Sequence, residues 1–376
     1  MGIFDVYPCY NITIEKAKDM LLWDSEGNEY LDMYGGHAVI SVGHSNYHFV
    51  NMLKKQIDKI AFYSNSIVIQ QQQELAHRLT AISGKEWYNM FLCNSGAEAN
   101  ENAFKLASFH NGKKKIISFS GSFHGRTSLA VAATDDNKIT APVNENSDVV
   151  ILPYNDIEAL EEEFMKGGVT AVIVEAIQGV GGVQVATQRF LEKMRMLCYT
   201  YDAVMIADCV QCGCGRTGRY FALDESGVEA DIYTMAKGIG NGFPMGGLLI
   251  SPKIRAEYGM LGTTFGGSYL ACTAALAVID EIEDRELMKN AGEMGHYLVE
   301  EIKALKSDKI LEVRGRGLMI GVEFNCDATP IRSRLLSMEN IFVGNAKNKR
   351  IIRLLPSMTI SKETCDKFVK SLKKVL

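Results

Sequence analysis

From about Phe49 onward, short apolar runs alternate with longer stretches in which apolar residues recur every three or four positions. The runs at Lys115–Phe119, Val149–Leu152, 171–175, Val204–Asp208, Ile232–Ala236 and 248–251 read as strands. Strands that alternate with helices and lack hairpin spacing predict a largely parallel α/β sheet covered on both faces. Among the intervening helices, Phe190, Met194, Leu197, Cys198 and Tyr201 fall on one stripe and are expected in the core.

The two ends of the chain follow other patterns. Near the start, two apolar runs flank the Glu26-Gly27-Asn28 turn, which predicts a hairpin in a peripheral lobe. After about Ser268 come two long helical periods, the run "ILEVRGRGLMIGVEF" and a closing amphipathic helix from Ser361, which together predict a smaller α+β lobe. The expected divisions are therefore an N-terminal segment over 1–48, a large domain over 49–267 and a C-terminal domain over 268–376.

A chain of 376 residues, 47% hydrophobic and 23% charged, can bury a sizeable pocket. Its formal charge of -5 provides no broad positive field for nucleic acid or anionic lipid, and Lys113 to Lys115 read as a solvated helix end. No run is long and apolar enough for a membrane span, and the opening residues lack the order of a signal peptide, so a cytoplasmic location is expected. Nine cysteines, an odd number scattered through apolar segments, predict buried thiols rather than a disulfide frame.

Ligands of open α/β sheets gather at the carboxyl ends of strands, and three features stand there. Asn94, Ser95 and Gly96 lead into a helix with capping-box spacing between Ser95 and Glu98, which suits either an anion site or a plain cap. Asp208 ends the run "AVMIAD", as an active-site carboxylate or a cap. Lys237 ends "DIYTMAK" before a glycine-rich stretch, as a desolvated amine able to form a Schiff base or as a surface lysine. Taken together, they match the needs of pyridoxal 5'-phosphate: an anchor for the phosphate, a carboxylate for the pyridine nitrogen and an amine for the aldehyde.

The ordered series "LWDSEGNEYLD", "GGHAVISVGH", "NSGAEANE", "FHGRT", "EAIQGVGGV", "IADCVQCGCGRTG", "AKGIGNGFPMGG", "GTTFGG" and "IIRLLPSMTI" resembles the class III, or ω-amino acid, aminotransferases of the fold type I pyridoxal-phosphate superfamily. The likeness runs over nearly the whole chain and is close to the acetylornithine and succinylornithine aminotransferases. It implies a mostly parallel sheet of the seven-stranded type and a homodimer with shared active sites. By this resemblance Lys237 carries the cofactor and Asp208 pairs with the ring nitrogen. Ser95, Gly96 and Ala97 cradle the phosphate, Phe123 and Val210 flank the ring, and His124 lies in the same cofactor-binding motif. Gln211 reaches the phenolic oxygen, and Thr264 serves the phosphate bound by the neighbouring subunit.

For substrate, the resemblance implies that Arg126 binds the carboxylate far from the reacting carbon, that Arg353 binds the α-carboxylate of glutamate, and that Tyr7 lies near a substrate carboxylate. The expected reaction moves the δ-amino group of an N-acylornithine to 2-oxoglutarate, as in arginine biosynthesis. Ornithine or 4-aminobutyrate transamination, or an aminomutase of the same fold, is the alternative. Relatives usually carry glutamate where this chain has Val180, which leaves Arg353 in want of another partner. They also carry glutamate at Cys209, and Asn-Pro at Ser268-Tyr269. Cys209, Cys212 and Cys214 read as buried thiols rather than metal ligands, since no fourth ligand is near in sequence. Gly213, Gly215 and Gly218 spell a dinucleotide fingerprint, but the residues that follow read as loop rather than helix.

Overall fold

Valine, isoleucine and leucine dominate the short runs, and the helices between them cover the central strands on both faces. In the computed structural model, which describes residues 2–376, this produces one sheet buried at its centre, with two four-stranded sheets and a two-stranded ribbon beside it. At the N-terminus, β1 (Ile14–Lys18), β2 (Leu21–Asp24) and β3 (Glu29–Asp32) form an antiparallel meander. The expected hairpin turn is held by Asp24, whose Oδ1 accepts from the amides of Glu26 and Asn28, with Gly27 at φ 85°.

The central strands are β4 (Asn89–Cys93), β5 (Lys115–Phe119), β6 (Val149–Leu152) and β7 (Val169–Val174). After a short ribbon of β8 (Ile177–Gln178) and β9 (Gln184–Val185) come β10 (Val204–Asp208), β11 (Ile232–Ala236) and β12 (Gly246–Ile250). They form a seven-stranded sheet in the order β4-β12-β11-β10-β7-β5-β6, in which β12 alone runs against its neighbours. β7, β10, β11 and β12 are buried throughout.

Beyond the helices Tyr269–Asp284 and Leu287–Ala304 lie β13 (Ile310–Arg316), β14 (Met319–Phe324), β15 (Ile341–Phe342), β16 (Gly344–Asn345) and β17 (Ile351–Leu354). Four of these form a sheet in the order β13-β14-β17-β16, while β15 pairs in parallel with β3 and completes the N-terminal sheet. Ser361 caps the final helix, Lys362–Val375, through its hydroxyl. No helix among the described residues is long and apolar enough to cross a membrane.

Several local expectations shift. β7 ends at Val174, so Glu175 lies just past the strand, and β12 begins two residues earlier than its apolar run because Gly246 and Gly247 also pair. Tyr201 is not core: it falls at the C-cap of the helix Gln188–Thr200 and is 37% exposed, resting its ring near Phe164. The lysine tract lies past a helix end, and Lys115 opens β5 and binds Glu163 at 2.7 Å. Seven cysteines are buried, but Cys9 and Cys326 are exposed.

Candidate active site

The parallel pairing of β10 with β11 sets the site. Asp208 is the last residue of β10 and lies opposite Thr234, and Lys237 follows the end of β11 three residues further on. A cavity of about 410 Å³ at these strand ends is lined by Ser95, Gly96, Ala97, Phe123, Asp208 and Lys237, among others. His124, Arg126 and Val210 line it as well.

Ser95 is the N-cap of the helix Gly96–Asn111, and its Oγ accepts from the amide of Glu98 at 3.2 Å. Glu98 reaches back one residue beyond the expected box, accepting from the amide of Asn94 at 3.1 Å. Gly96 and Ala97 open the helix, where backbone amides have no intrahelical acceptor and attract an anion. Only glycine fits at 96, since a Cβ there would lie 2.7 Å from Cγ1 of Val210. A Cβ on Gly246 would lie 2.5 Å from the carbonyl oxygen of Ser95, so the bare backbone of β12 also makes room for the cap.

Asp208 is buried in a set of donors. Its Oδ2 accepts from Asn100 Nδ2 at 2.8 Å and lies 2.7 Å from His124 Nδ1, and its Oδ1 accepts from the amide of Val210 at 3.0 Å. Two N–H donors and an imidazole nitrogen thus surround this one carboxylate. Asn100 is itself fixed, donating to the carbonyl of His124 and accepting from Thr234 Oγ1. The sequence reading assigned Asn100 no role; a polar side chain on the inward face of an amphipathic helix was its one signal.

Lys237 has φ 50°, a left-handed conformation that costs a side-chain-bearing residue energy and turns the chain sharply off β11. Burial holds its ammonium below the usual lysine range, opposed by Asp208 and Glu175 and helped by Arg353. More of the amine is therefore neutral and nucleophilic at a given pH than in water.

A second cavity, about 540 Å³, shares Phe123, Arg126, Asp208, Val210 and Lys237 with the first and extends to Gln211, Val180 and Arg353. Arg126 is exposed at its edge, with Cζ 6.0 Å from the Phe123 ring centre. Arg353, by contrast, is buried on β17. Its partners are neutral: the carbonyl of Asn345 at 2.6 Å, Gln211 Oε1 at 3.0 Å and the Tyr34 hydroxyl at 3.1 Å. These groups stand where the sequence reading sought a substitute for the glutamate that Val180 replaces.

Glu175 is a further buried residue of this cavity with no role assigned from sequence. Its two carboxylate oxygens accept from the amides of Phe123 and Gly179, each at 2.9 Å, tying together the two loops that carry Phe123 and Val180. Burial raises its carboxyl to about 7, with His124 opposing and Asp208 adding to the rise. Two expected residues do not join the cavities. Tyr7 is 71% exposed in the segment before β1, and Thr264 is exposed in the loop after β12. Gly213 pairs with Phe221 in an isolated bridge, and Gly215 and Gly218 lie in a turn and a bend, so none of the three opens a helix.

The class-III aminotransferase profile matches residues 5–376. Acetylornithine aminotransferase from Archaeoglobus fulgidus is 40% identical, over 98% of this chain and 96% of that protein. Among solved structures, ornithine aminotransferase from Toxoplasma gondii superposes with a TM-score of 0.93 at 26% identity, covering 99% of this chain and 92% of that one. Acetylornithine aminotransferase from Elizabethkingia anophelis does so with a TM-score of 0.87 at 29% identity, covering 99% and 95%. Full-length coverage, a shared fold and a lysine and carboxylate on adjacent strand ends lead to one assignment: the chain belongs to the class-III aminotransferases.

Proposed function

We propose that this chain binds pyridoxal 5'-phosphate and transfers the δ-amino group of an N-acylornithine to 2-oxoglutarate, yielding an N-acylglutamate semialdehyde and glutamate. The observation that carries this reading is a pair of cavities that share Phe123, Arg126, Asp208, Val210 and Lys237, with Lys237 and Asp208 at adjacent strand ends and Arg353 lining the second. The residues fit the cofactor. Gly96 leaves bare backbone at an anion-attracting helix start, and the buried Nε2 of His124 has no hydrogen-bond partner among the described residues, as expected of a group placed for a ligand. When bound, the cofactor supplies an electron sink for the carbon that carries the amine.

The chain's own residues do the remaining work. Asp208 lines the cavity, where it would pair with the ring nitrogen of the cofactor. Lys237 Nζ, made less basic by burial, takes the proton from the substrate δ-carbon. Arg126, at the edge of both cavities, binds the carboxylate that N-acylornithine and glutamate each carry far from the reacting carbon. Arg353 binds the carboxylate that only glutamate carries on that carbon. Thr264 lies beside exposed Phe265, whose ring is 5.3 Å from that of Phe62, in keeping with a surface that a second copy of the chain covers. In a homodimer of this kind Thr264 reaches the partner's phosphate.

A panel of single half-reactions tests the reading, with the visible absorbance of the loaded enzyme followed after mixing with N-acetylornithine, N-succinylornithine, ornithine or 4-aminobutyrate. An N-acylornithine reacts fastest, by at least about 10-fold in kcat/KM over the other two classes. Fastest reaction with 4-aminobutyrate or free ornithine, or no spectral change with any of the four, overturns it.

A further inference from the structure

A buried guanidinium has five N–H donors and needs acceptors for them, charged or neutral. Arg353 is 3% exposed, and its three hydrogen-bond partners are all neutral. Glu175, the carboxylate whose charge acts on it, commits both oxygens to the amides of Phe123 and Gly179. The proposed reaction makes this arrangement demanding. Glutamate brings a carboxylate to Arg353, whereas an N-acylornithine reacting at its δ-carbon brings none to that place.

Tyr34 meets Arg353 in two ways. Its hydroxyl oxygen lies 3.1 Å from Nη2, and its ring centre lies 5.6 Å from Cζ, so both the hydroxyl dipole and the π face oppose the positive charge. The proton on that hydroxyl has a defined place. Arginine can only donate, so the oxygen accepts from Arg353 and its own hydrogen goes to His37 Nδ1, 2.6 Å away. His37 is exposed on one side, but partial desolvation and the nearby charges of Arg353 and Lys237 hold its imidazolium below the usual histidine range, which favours a neutral ring whose Nδ1 accepts.

The backbone is cleared for these contacts. A Cβ on Gly344 would lie 2.1 Å from Cε2 of Tyr34, and a Cβ on Gly179 would lie 1.8 Å from Gln211 Oε1. His37 itself sits at φ 67°, directly after Gly36 at φ 54°. Two bare glycines and a left-handed turn thus bring two neutral oxygens to the two terminal nitrogens of one arginine.

We propose that Tyr34, oriented by His37, is a positioning residue that sets substrate specificity: with Gln211 it occupies the terminal nitrogens of Arg353 when the amine donor brings no second carboxylate, and it yields them when glutamate or 2-oxoglutarate arrives. The proposal rests on the functional reading above. It differs from a fixed structural role in one respect: loss of the hydroxyl matters more in one half-reaction than in the other. A bound carboxylate supplies the acceptors that Tyr34 otherwise provides.

Tyr34→Phe keeps the ring and removes only the hydroxyl. In this variant the ratio of kcat/KM for N-acetylornithine to that for glutamate falls about 10-fold, the size expected for one hydrogen bond to a charged group. His37→Leu lowers the same ratio, and His37→Asn, which retains an acceptor, restores most of it. Calorimetric titration of the holoenzyme with glutarate, a dicarboxylate that cannot react, gives a Kd in Tyr34→Phe within about 3-fold of the parent or tighter. Equal loss in both half-reactions, a ratio that does not move, or markedly weaker glutarate binding overturns the proposal. If Tyr34→Phe fails to fold, the two His37 variants decide between the same outcomes. A parent enzyme that reacts with neither N-acetylornithine nor glutamate sinks the functional reading, and this proposal with it. Reaction of the parent with both and no change of ratio in the variants sinks the proposal alone.

Discussion

Asp208 and Arg353 are each 3% exposed, and the protein treats these two buried charges in opposite ways. Asp208 is surrounded by groups that are themselves held in place: Asn100 by Thr234 and the His124 carbonyl, and His124 by its backbone N–H, which donates to Thr134 Oγ1. Arg353 meets a tyrosine hydroxyl, a glutamine amide and one carbonyl, and two of those three belong to side chains that can rotate away. Both solutions offset the cost of removing a charge from water. The first fixes a charge that one bound group requires at every step. The second suits a charge that is called on in only one of two half-reactions.

The contrast is sharpest when the fixed side is neutralised. Asp208→Asn places an amide among groups that all donate, and turnover falls by about 10³-fold, measured with N-acetylornithine and 2-oxoglutarate at saturation. A loss smaller than about 10-fold would mean that the charge at the base of the cavity is not needed.

Glu175 lies between the two regions and tests them through pH. Its carboxyl stands at about 7 in the folded protein against an ordinary 4.5, so the unfolded chain releases this proton more readily than the folded one. The stability it contributes is complete below pH 4.5 and is lost as pH rises through 7. The loss amounts to about 3 kcal/mol across that window. Glu175→Gln removes this slope. Denaturant unfolding of the cofactor-free protein at pH 5 and pH 8 therefore gives a stability difference that is smaller in the variant than in the parent by about that amount. Parallel pH profiles would show that the buried carboxyl is not raised.

The smallest expected effect comes from making the adjustable side resemble the fixed one. Val180 lines the cavity that holds Arg353, and Val180→Glu offers the arginine a permanent carboxylate. Glutamate then competes with it, and kcat/KM for glutamate falls about 10-fold while that for N-acetylornithine changes less. Equal effects on both substrates would argue that Val180 does not face Arg353 in the working enzyme.

The two sides were also unequally legible in the sequence. Asp208, Lys237 and the Ser95–Ala97 helix start could be read because each sits where an apolar run meets a break, and because "NSGAEANE", "IADCVQ" and "AKGIGNG" occur in order. The central strands were read to within a few residues for the same reason, since a fully buried strand declares itself by composition. Glu175 ends an apolar run and His37 lies within "GGHAVISVGH", but nothing in the sequence joins either of them or Tyr34 to the residues they contact. Their contacts to Arg353, Phe123 and Gly179 span up to 319 residues and depend on glycine positions that periodicity does not report. Tyr201 failed in a simpler way: it lies on the correct helical stripe but just beyond the last turn that packs. Neither Tyr7 nor Thr264 lines the two cavities, since both lie exposed in segments whose position the sequence pattern does not report.

The central claim is that an amino group passes from the δ-carbon of an N-acylornithine to 2-oxoglutarate on this chain, with Lys237 moving the proton. Isotope transfer tests it most directly. N-acetylornithine carrying nitrogen-15 at the δ position is incubated with 2-oxoglutarate and the holoenzyme, and parallel incubations use N-succinylornithine and the Lys237→Ala variant. The account predicts nitrogen-15 glutamate and semialdehyde in equal amounts from at least one acylornithine, and essentially none of either with Lys237→Ala. Label released as ammonia, unlabelled glutamate, or wild-type transfer by the variant would contradict it.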